Sequence, residues 1–287
     1  MRDTLKFFIG KELFIDEYAA LEYLLQYEQR VELWKGQGDS NAFAEAKQHS
    51  DQLTIISGDG TLAVTNFNKL PQNPQLDSII SFNVNDFMQS NDGLCSVGTK
   101  TMSDALLSYK NDPKVIGAKI NFDTGGGEGM SGHILHNAFK EFGKHVIAYV
   151  YNAGSAGYLA ASGATEIVAA NENSRVGSIG ALVSISKKML DEYANNIVEI
   201  YSDSSSDKNK EFRALLKGDS DPLKEMLNKS VQVFHNVVKA NRQLKFDPEG
   251  SLRGGMFFAK DAMKRGLLDH IGNNDFAISR VKKYAKK

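Results

Sequence analysis

Residues 144–180 read KHVIAYVYNAGSAGYLAASGATEIVAANENSRVGSIG, and the choice of fold turns on this stretch. Residues 144–151 are rich in Val, Ile and Tyr, the composition of a buried strand. The run breaks at Asn152-Ala153-Gly154, and Ser155 stands at the break. Residues 156–162 are almost all small, so a helix there packs very close to its neighbours. Residues 166–170 then read as a second short strand. A serine between a strand and a helix N-terminus lies at a sharp turn, near backbone amides that favour developing negative charge. Two roles suit Ser155, a nucleophile or an ordinary helix N-cap. The local pattern leaves both open.

Working outward, the same alternation continues upstream. Residues 78–84 (SIISFNV) read as a strand, and 101–110 as a helix with Met102, Leu106 and Tyr109 on one side, stopped by Asn111-Asp112-Pro113. Residues 115–122 form the next strand, followed by Asp123-Thr124-Gly125-Gly126-Gly127-Glu128-Gly129 and a helix over 130–142. Strand–helix–strand–helix at this spacing implies parallel pairing with right-handed crossovers, an α/β fold. The glycine run is expected to turn from strand to helix, where amides can face outward and hold an anion. It lacks the Lys-Ser/Thr of a phosphate loop and a usable GxGxxG register, which argues against a nucleotide site. An oxyanion hole for an acyl intermediate, or a plain turn, fits it better.

Composition sets the outer bounds. The 34 basic and 35 acidic residues nearly cancel, so no net basic field suggests nucleic acid. Cys95 is the single cysteine, which excludes an intramolecular disulfide and fits a reducing compartment. Charges interrupt the first 18 residues too often for a secretory signal, and no run approaches the ~20 apolar residues of a membrane span. The expectation is a soluble, cytoplasmic chain. Residues 1–75 read as an appended, mostly helical extension: an amphipathic helix over 16–34, another over 41–48, a hairpin pairing 53–56 with 61–64, and a linker over 66–74. Residues 76–287 form the main domain. Near its end, 222–240 has the spacing of a long amphipathic helix, and 280–287 reads as a solvated, Lys-rich tail.

A serine nucleophile needs a base, usually histidine. The six histidines are His49, His133, His136, His145, His235 and His270, with none between 146 and 234. His133 and His136 share a helix face, yet no carboxylate or cysteine completes a metal-ligand set beside them. A lysine base must be neutral. From an ordinary pKa of ~10.4 that takes a shift of roughly 3 units, about 4–5 kcal/mol of environmental bias, which apolar burial can supply.

Four motifs taken together resemble a known family: DPKVIGAKINFDTGGGEG, NAGSAGYLAASGATEIVAA, SRVGSIGALV and GGMFFAKDAMKRGLLDHIG. In this order they are similar to the signal peptide peptidase A family of Ser/Lys peptidases, in its phage capsid (prohead) protease branch. The resemblance runs over about 78–272 and implies the Clp protease/crotonase fold, a parallel sheet with crossover helices. It implies Ser155 as nucleophile, Gly126 and the Ala156 amide as oxyanion hole, and Ser178 as the residue orienting the base. The base falls after a strand expected at 197–201, in the Ser-rich stretch where Lys208 aligns best and Lys210 is the alternative. Asp123-Thr124 stands where the family often has Ser-Pro. No cofactor and no metal are implied. The implied partners are a protein or peptide substrate (a capsid, portal or scaffold protein) and copies of the same chain in a ring, located in the bacterial host cytoplasm or a phage prohead. A crotonase-type acyl-CoA enzyme and a catalytically inactive assembly protein are the competing functions.

Overall fold

The computed structural model describes residues 13–15, 52–93 and 96–285. The helices expected over 16–34 and 41–48, and Cys95, lie outside the described residues. The elements run in the order β1 (Leu13–Ile15), β2 (Gln52–Ile56), β3 (Leu62–Asn66), β4 (Ser78–Met88), α1 (Thr99–Ser108), β5 (Val115–Glu128), α2 (Gly129–Glu141), β6 (His145–Gly154) and α3 (Ala156–Ser162). They continue with β7 (Glu166–Ala169), β8 (Arg175–Gly177), α4 (Lys187–Asn196), α5 (Lys210–Leu216), α6 (Asp221–Asn241), α7 (Pro248–Ser251), β9 (Met256–Phe258), α8 (Ala259–Arg265), β10 (His270–Ile271) and α9 (Asn274–Ala285).

The expected α/β sheet with crossover helices is found. Strands β4, β5, β6, β7 and β10 pair in parallel, and the β2–β3 hairpin joins the β4 edge antiparallel, giving the order β10-β7-β6-β5-β4-β2-β3. One face of β5 and β6 (Ala118, Ile120, Phe122, Val146, Ala148, Val150) is buried with Leu106 of α1, Leu135 and Phe139 of α2 and Leu159 of α3. The opposite face buries Ile79, Ile147, Tyr149 and Val168 against Ala277 and Val281 of α9. Because side chains alternate across a strand, the parallel core strands need apolar residues on both faces, which explains their nearly unbroken apolar runs.

Three expectations are corrected. The glycine run is not a turn: Gly125, Gly126 and Gly127 continue β5, and the helix begins only at Gly129. They stay extended because Phe87 and Met88 of β4 pair with Gly126 and Gly127. That approach is so close that a Cβ on Gly127 would lie 2.1 Å from the Met88 carbonyl oxygen. The strand expected at 197–201 is absent. Ile197, Val198 and Ile200 lie exposed, the last two 88% and 92% so, with no described strand beside them to pair with. The basic end is not a loose tail either. Residues 280 and 284 are one helical turn apart on α9 and both reach Glu166, at the start of β7. Arg280 binds its carboxylate with two nitrogens, Tyr284 donates its hydroxyl at 2.7 Å, and Lys282 reaches the Gly58 carbonyl at 3.2 Å.

Burial of Glu166 opposes its ionisation, but the hydrogen bonds from Arg280 and Tyr284 outweigh it and hold the carboxyl below the usual glutamate value. A carboxyl with a depressed folded-state pKa contributes stability that is complete above its ordinary pKa, here 4.5, and is lost as pH falls below it. Acid-unfolding profiles should therefore show Glu166→Gln losing the stability difference that the parent loses below that pH. Separately, a Cβ on Gly132 of α2 would lie 2.7 Å from the Ala156 carbonyl oxygen of α3. Urea titration of Gly132→Ala should show a loss of about 1–3 kcal/mol from this overpacking.

Candidate active site around Ser155

Ser155 stands where β6 passes into α3. Its amide donates to the Gly177 carbonyl at 2.8 Å, and its own carbonyl accepts from the Leu159 amide at 2.8 Å, opening the helix. Between these bonds its backbone is forced to φ 50°, ψ −116°, a conformation disfavoured for any residue with a Cβ. Ser155 holds the N-cap position, but its side chain caps no first-turn amide. The hydroxyl points instead toward the Gly180 carbonyl at 3.5 Å, at the outer limit of a hydrogen bond. Of the two roles the sequence left open, capping is therefore not the one this side chain performs.

The surroundings depend on missing side chains. A Cβ on Gly154 would lie 2.8 Å from the Gly125 carbonyl oxygen, and one on Gly157 would lie 2.6 Å from Thr124 Cγ2. Small residues thus bring the glycine run, the end of β6 and the first turn of α3 together. Ser178 is close by, since Gly177 pairs with Gly154 across β8 and β6. Both Gly177 and Ser178 have positive φ, and the Ser178 amide donates to the Gly255 carbonyl at 2.8 Å. Ala156 is the first residue of α3, where amides have no acceptor within the helix.

Gly126, at φ 110°, lies beside this corner, but its amide is engaged. It donates to Thr124 Oγ1 at 3.0 Å, while the same hydroxyl donates to the Asp86 carbonyl. The departure at Asp123-Thr124 therefore acts directly on the expected oxyanion donor. Thr124 was not among the sequence-derived site residues, and its signal was only that departure.

The lysines lie elsewhere. Lys208 and Lys210 are exposed, Lys208 in a turn and Lys210 at the start of α5, and neither bonds Ser155 or Ser178 among the described residues. Burial pushes Lys119 of β5 down to about 8, the kind of shift a lysine base needs. It is in register with Ile147 of β6, however, eight residues before Ser155. At ~3.3 Å per residue that is about 26 Å away, so Lys119 serves the sheet face, donating to Asn121 Oδ1 at 2.5 Å. His136 is buried: its Nδ1 lies 3.2 Å from the Leu159 carbonyl, and burial lowers its pKa. No group of three metal-ligating side chains occurs among the described residues.

Two stability measurements test this geometry. Ser155→Gly relieves the positive-φ strain, and its thermal unfolding should show a gain of about 1 kcal/mol over Ser155→Ala. Thr124→Val strands the Gly126 amide and the Asp86 carbonyl in a buried site, a loss of about 1–3 kcal/mol that Thr124→Ser largely avoids.

Comparisons with known proteins bear on the family of this chain. A Methanocaldococcus jannaschii protein, provisionally named a protease, is 24% identical over 185 residues, covering 63% of this chain. The chain spans 60% of the length of that relative. Among solved structures, a membrane-bound stomatin-specific protease with a bound substrate peptide matches with TM-score 0.39 and 14% identity, over 72% of this chain and 80% of that one. An enoyl-CoA hydratase from Shewanella pealeana matches with TM-score 0.45 and 10% identity, over 85% of this chain and 77% of that one. The model of peptidase family S49 matches residues 138–287, a span that takes in Ser155, Ser178, Lys208 and Lys210 and leaves Gly126 just upstream. Because that span is more than half of its length, the chain belongs to peptidase family S49.

Proposed function

We propose that this chain is a serine endopeptidase that hydrolyses peptide bonds through an acyl-enzyme on Ser155, with Lys208 as the base. The observation that carries the proposal is the turn at Ser155: a strained positive φ at a strand-to-helix corner, with a hydroxyl that caps nothing. In this reading the neutral amine of Lys208 takes the Ser155 proton as its oxygen attacks the substrate carbonyl. The amide of Ala156 and, once it leaves Thr124, that of Gly126 receive the charge on the tetrahedral oxygen. Lys208 then protonates the departing amine and activates the water that releases the acyl group. Ser178 orients the base, and Lys210 is the alternative to Lys208.

Because Lys208 is on an exposed segment, the dyad has to be assembled by bringing residues 197–210 to the corner. A ring of identical copies, in which the exposed Val198 and Ile200 are covered by a neighbour, is the arrangement we favour. Capsid, portal or scaffold protein of a phage or prophage is the proposed substrate, processed in the host cytoplasm or within a prohead. The same exposed lysines also favour a second reading, an assembly protein of this family without turnover.

Cleavage of a co-expressed capsid protein, followed with the purified oligomer, tests both. Ser155→Ala and Lys208→Ala should each lower turnover by at least ~10³-fold with the fold intact by circular dichroism. Normal cleavage by Lys208→Ala together with loss in Lys210→Ala would move the base to Lys210. Absence of any cleavage by the parent oligomer would leave the assembly reading.

A further inference from the structure

The edge of β5 beside Ser155 is already occupied, and by this chain. Phe87 and Met88 of β4 pair with Gly126 and Gly127 along one edge of β5. The other edge belongs to β6 as far as the pairs Asp123–Asn152 and Thr124–Ala153. There β6 leaves the sheet through Gly154 and Ser155 into α3. Beyond that point β1 enters the vacated lane antiparallel to β5, with Leu13 opposite Glu128, Phe14 opposite Gly127 and Ile15 opposite Gly126. Its direction runs from the α2 end of β5 toward the corner that carries Ser155.

An extended peptide that adds to a sheet gains backbone hydrogen bonds without needing a fixed side-chain sequence. Among the described residues, the only length of β5 edge open to such a peptide next to Ser155 is the lane that β1 fills, since β4 and β6 hold the rest. Ser155 is also wholly buried, at 0% exposure, whereas a residue that attacks a peptide must be reached. We infer that Leu13–Ile15 is an internal stand-in for the substrate strand, which holds the site closed until an incoming peptide displaces it. The functional consequence rests on the peptidase reading, but the docking of the strand does not.

A stand-in that fills the lane for nine-tenths of the time leaves one-tenth of the sites open, which weakens apparent substrate binding about tenfold. Proline cannot donate a ladder hydrogen bond, and alternate residues of a strand face its partner. Phe14→Pro and Ile15→Pro in the full-length protein therefore test both possible phases. Amide exchange, read by mass spectrometry on the fragment spanning 124–130, should rise up to about tenfold in at least one variant. A synthetic peptide of residues 11–17 (KELFIDE) added to that variant should restore protection. With an unstructured protein substrate, the same variant should show a KM about tenfold lower at unchanged kcat. Unprotected glycine-run amides in the parent, or unchanged exchange in both variants, would overturn the inference. Increased exchange with no hydrolysis by parent or variant would uphold the docking and count against the peptidase reading alone.

Discussion

The Ser155 amide reaches the Gly177 carbonyl at 2.8 Å while its own carbonyl receives the Leu159 amide at the same distance. These two bonds turn the chain from β6 into α3 through one residue, and the positive φ at Ser155 is what that sharp turn costs. Such a conformation persists only where the surroundings determine it more strongly than the local backbone resists it. Here they do so because Gly154, Gly157 and Gly132 let β5, α3 and α2 close to distances that any Cβ would forbid. The core built on Phe122, Leu135, Phe139 and Leu159 presses on that contact from one side of the sheet.

The same constraint governs the chemistry available at the corner. A hydroxyl that caps no amide is available for another role, and small neighbours leave backbone groups as the main polar partners around it. The Gly126 amide shows the limit of that arrangement, because Thr124 takes it while also binding the Asp86 carbonyl. A negatively charged oxygen would compete for that donor, and charge-assisted hydrogen bonds are roughly twice as strong as neutral ones. The electrostatics of the lysines separate burial from position. Lys119 has the low-dielectric surroundings that depress an amine but is on the wrong stretch of β5, while Lys208 lies exposed in a turn.

Much of the fold was legible in the residues. The apolar runs of β4, β5 and β6, the small-residue helix α3, the hairpin of β2 and β3, and the long helix α6 lie close to their expected places. These follow from side-chain period, turn residues and helix spacing, which act over a few neighbours. Two of the failures share one cause. Gly125–Gly126–Gly127 looks like a turn by composition, and 197–201 looks like a strand, yet whether either pairs depends on an edge supplied by distant residues. For the glycines, β4 and β1 supply it. For 197–201, no described strand does.

Residue order alone therefore determined the alternation of strands and helices, and it put a serine at the one break followed by a helix of small residues. Only the tertiary structure decided what that serine is held by, that Thr124 binds the Gly126 amide, and that Arg280 and Tyr284 anchor the basic C-terminal helix to Glu166. Only it puts Leu13–Ile15 in the lane next to Ser155. The reason is physical: helix and strand preferences are set by neighbours in sequence, whereas hydrogen-bond partners along a sheet edge, and the partner of a buried charge, come from residues tens to more than a hundred positions away.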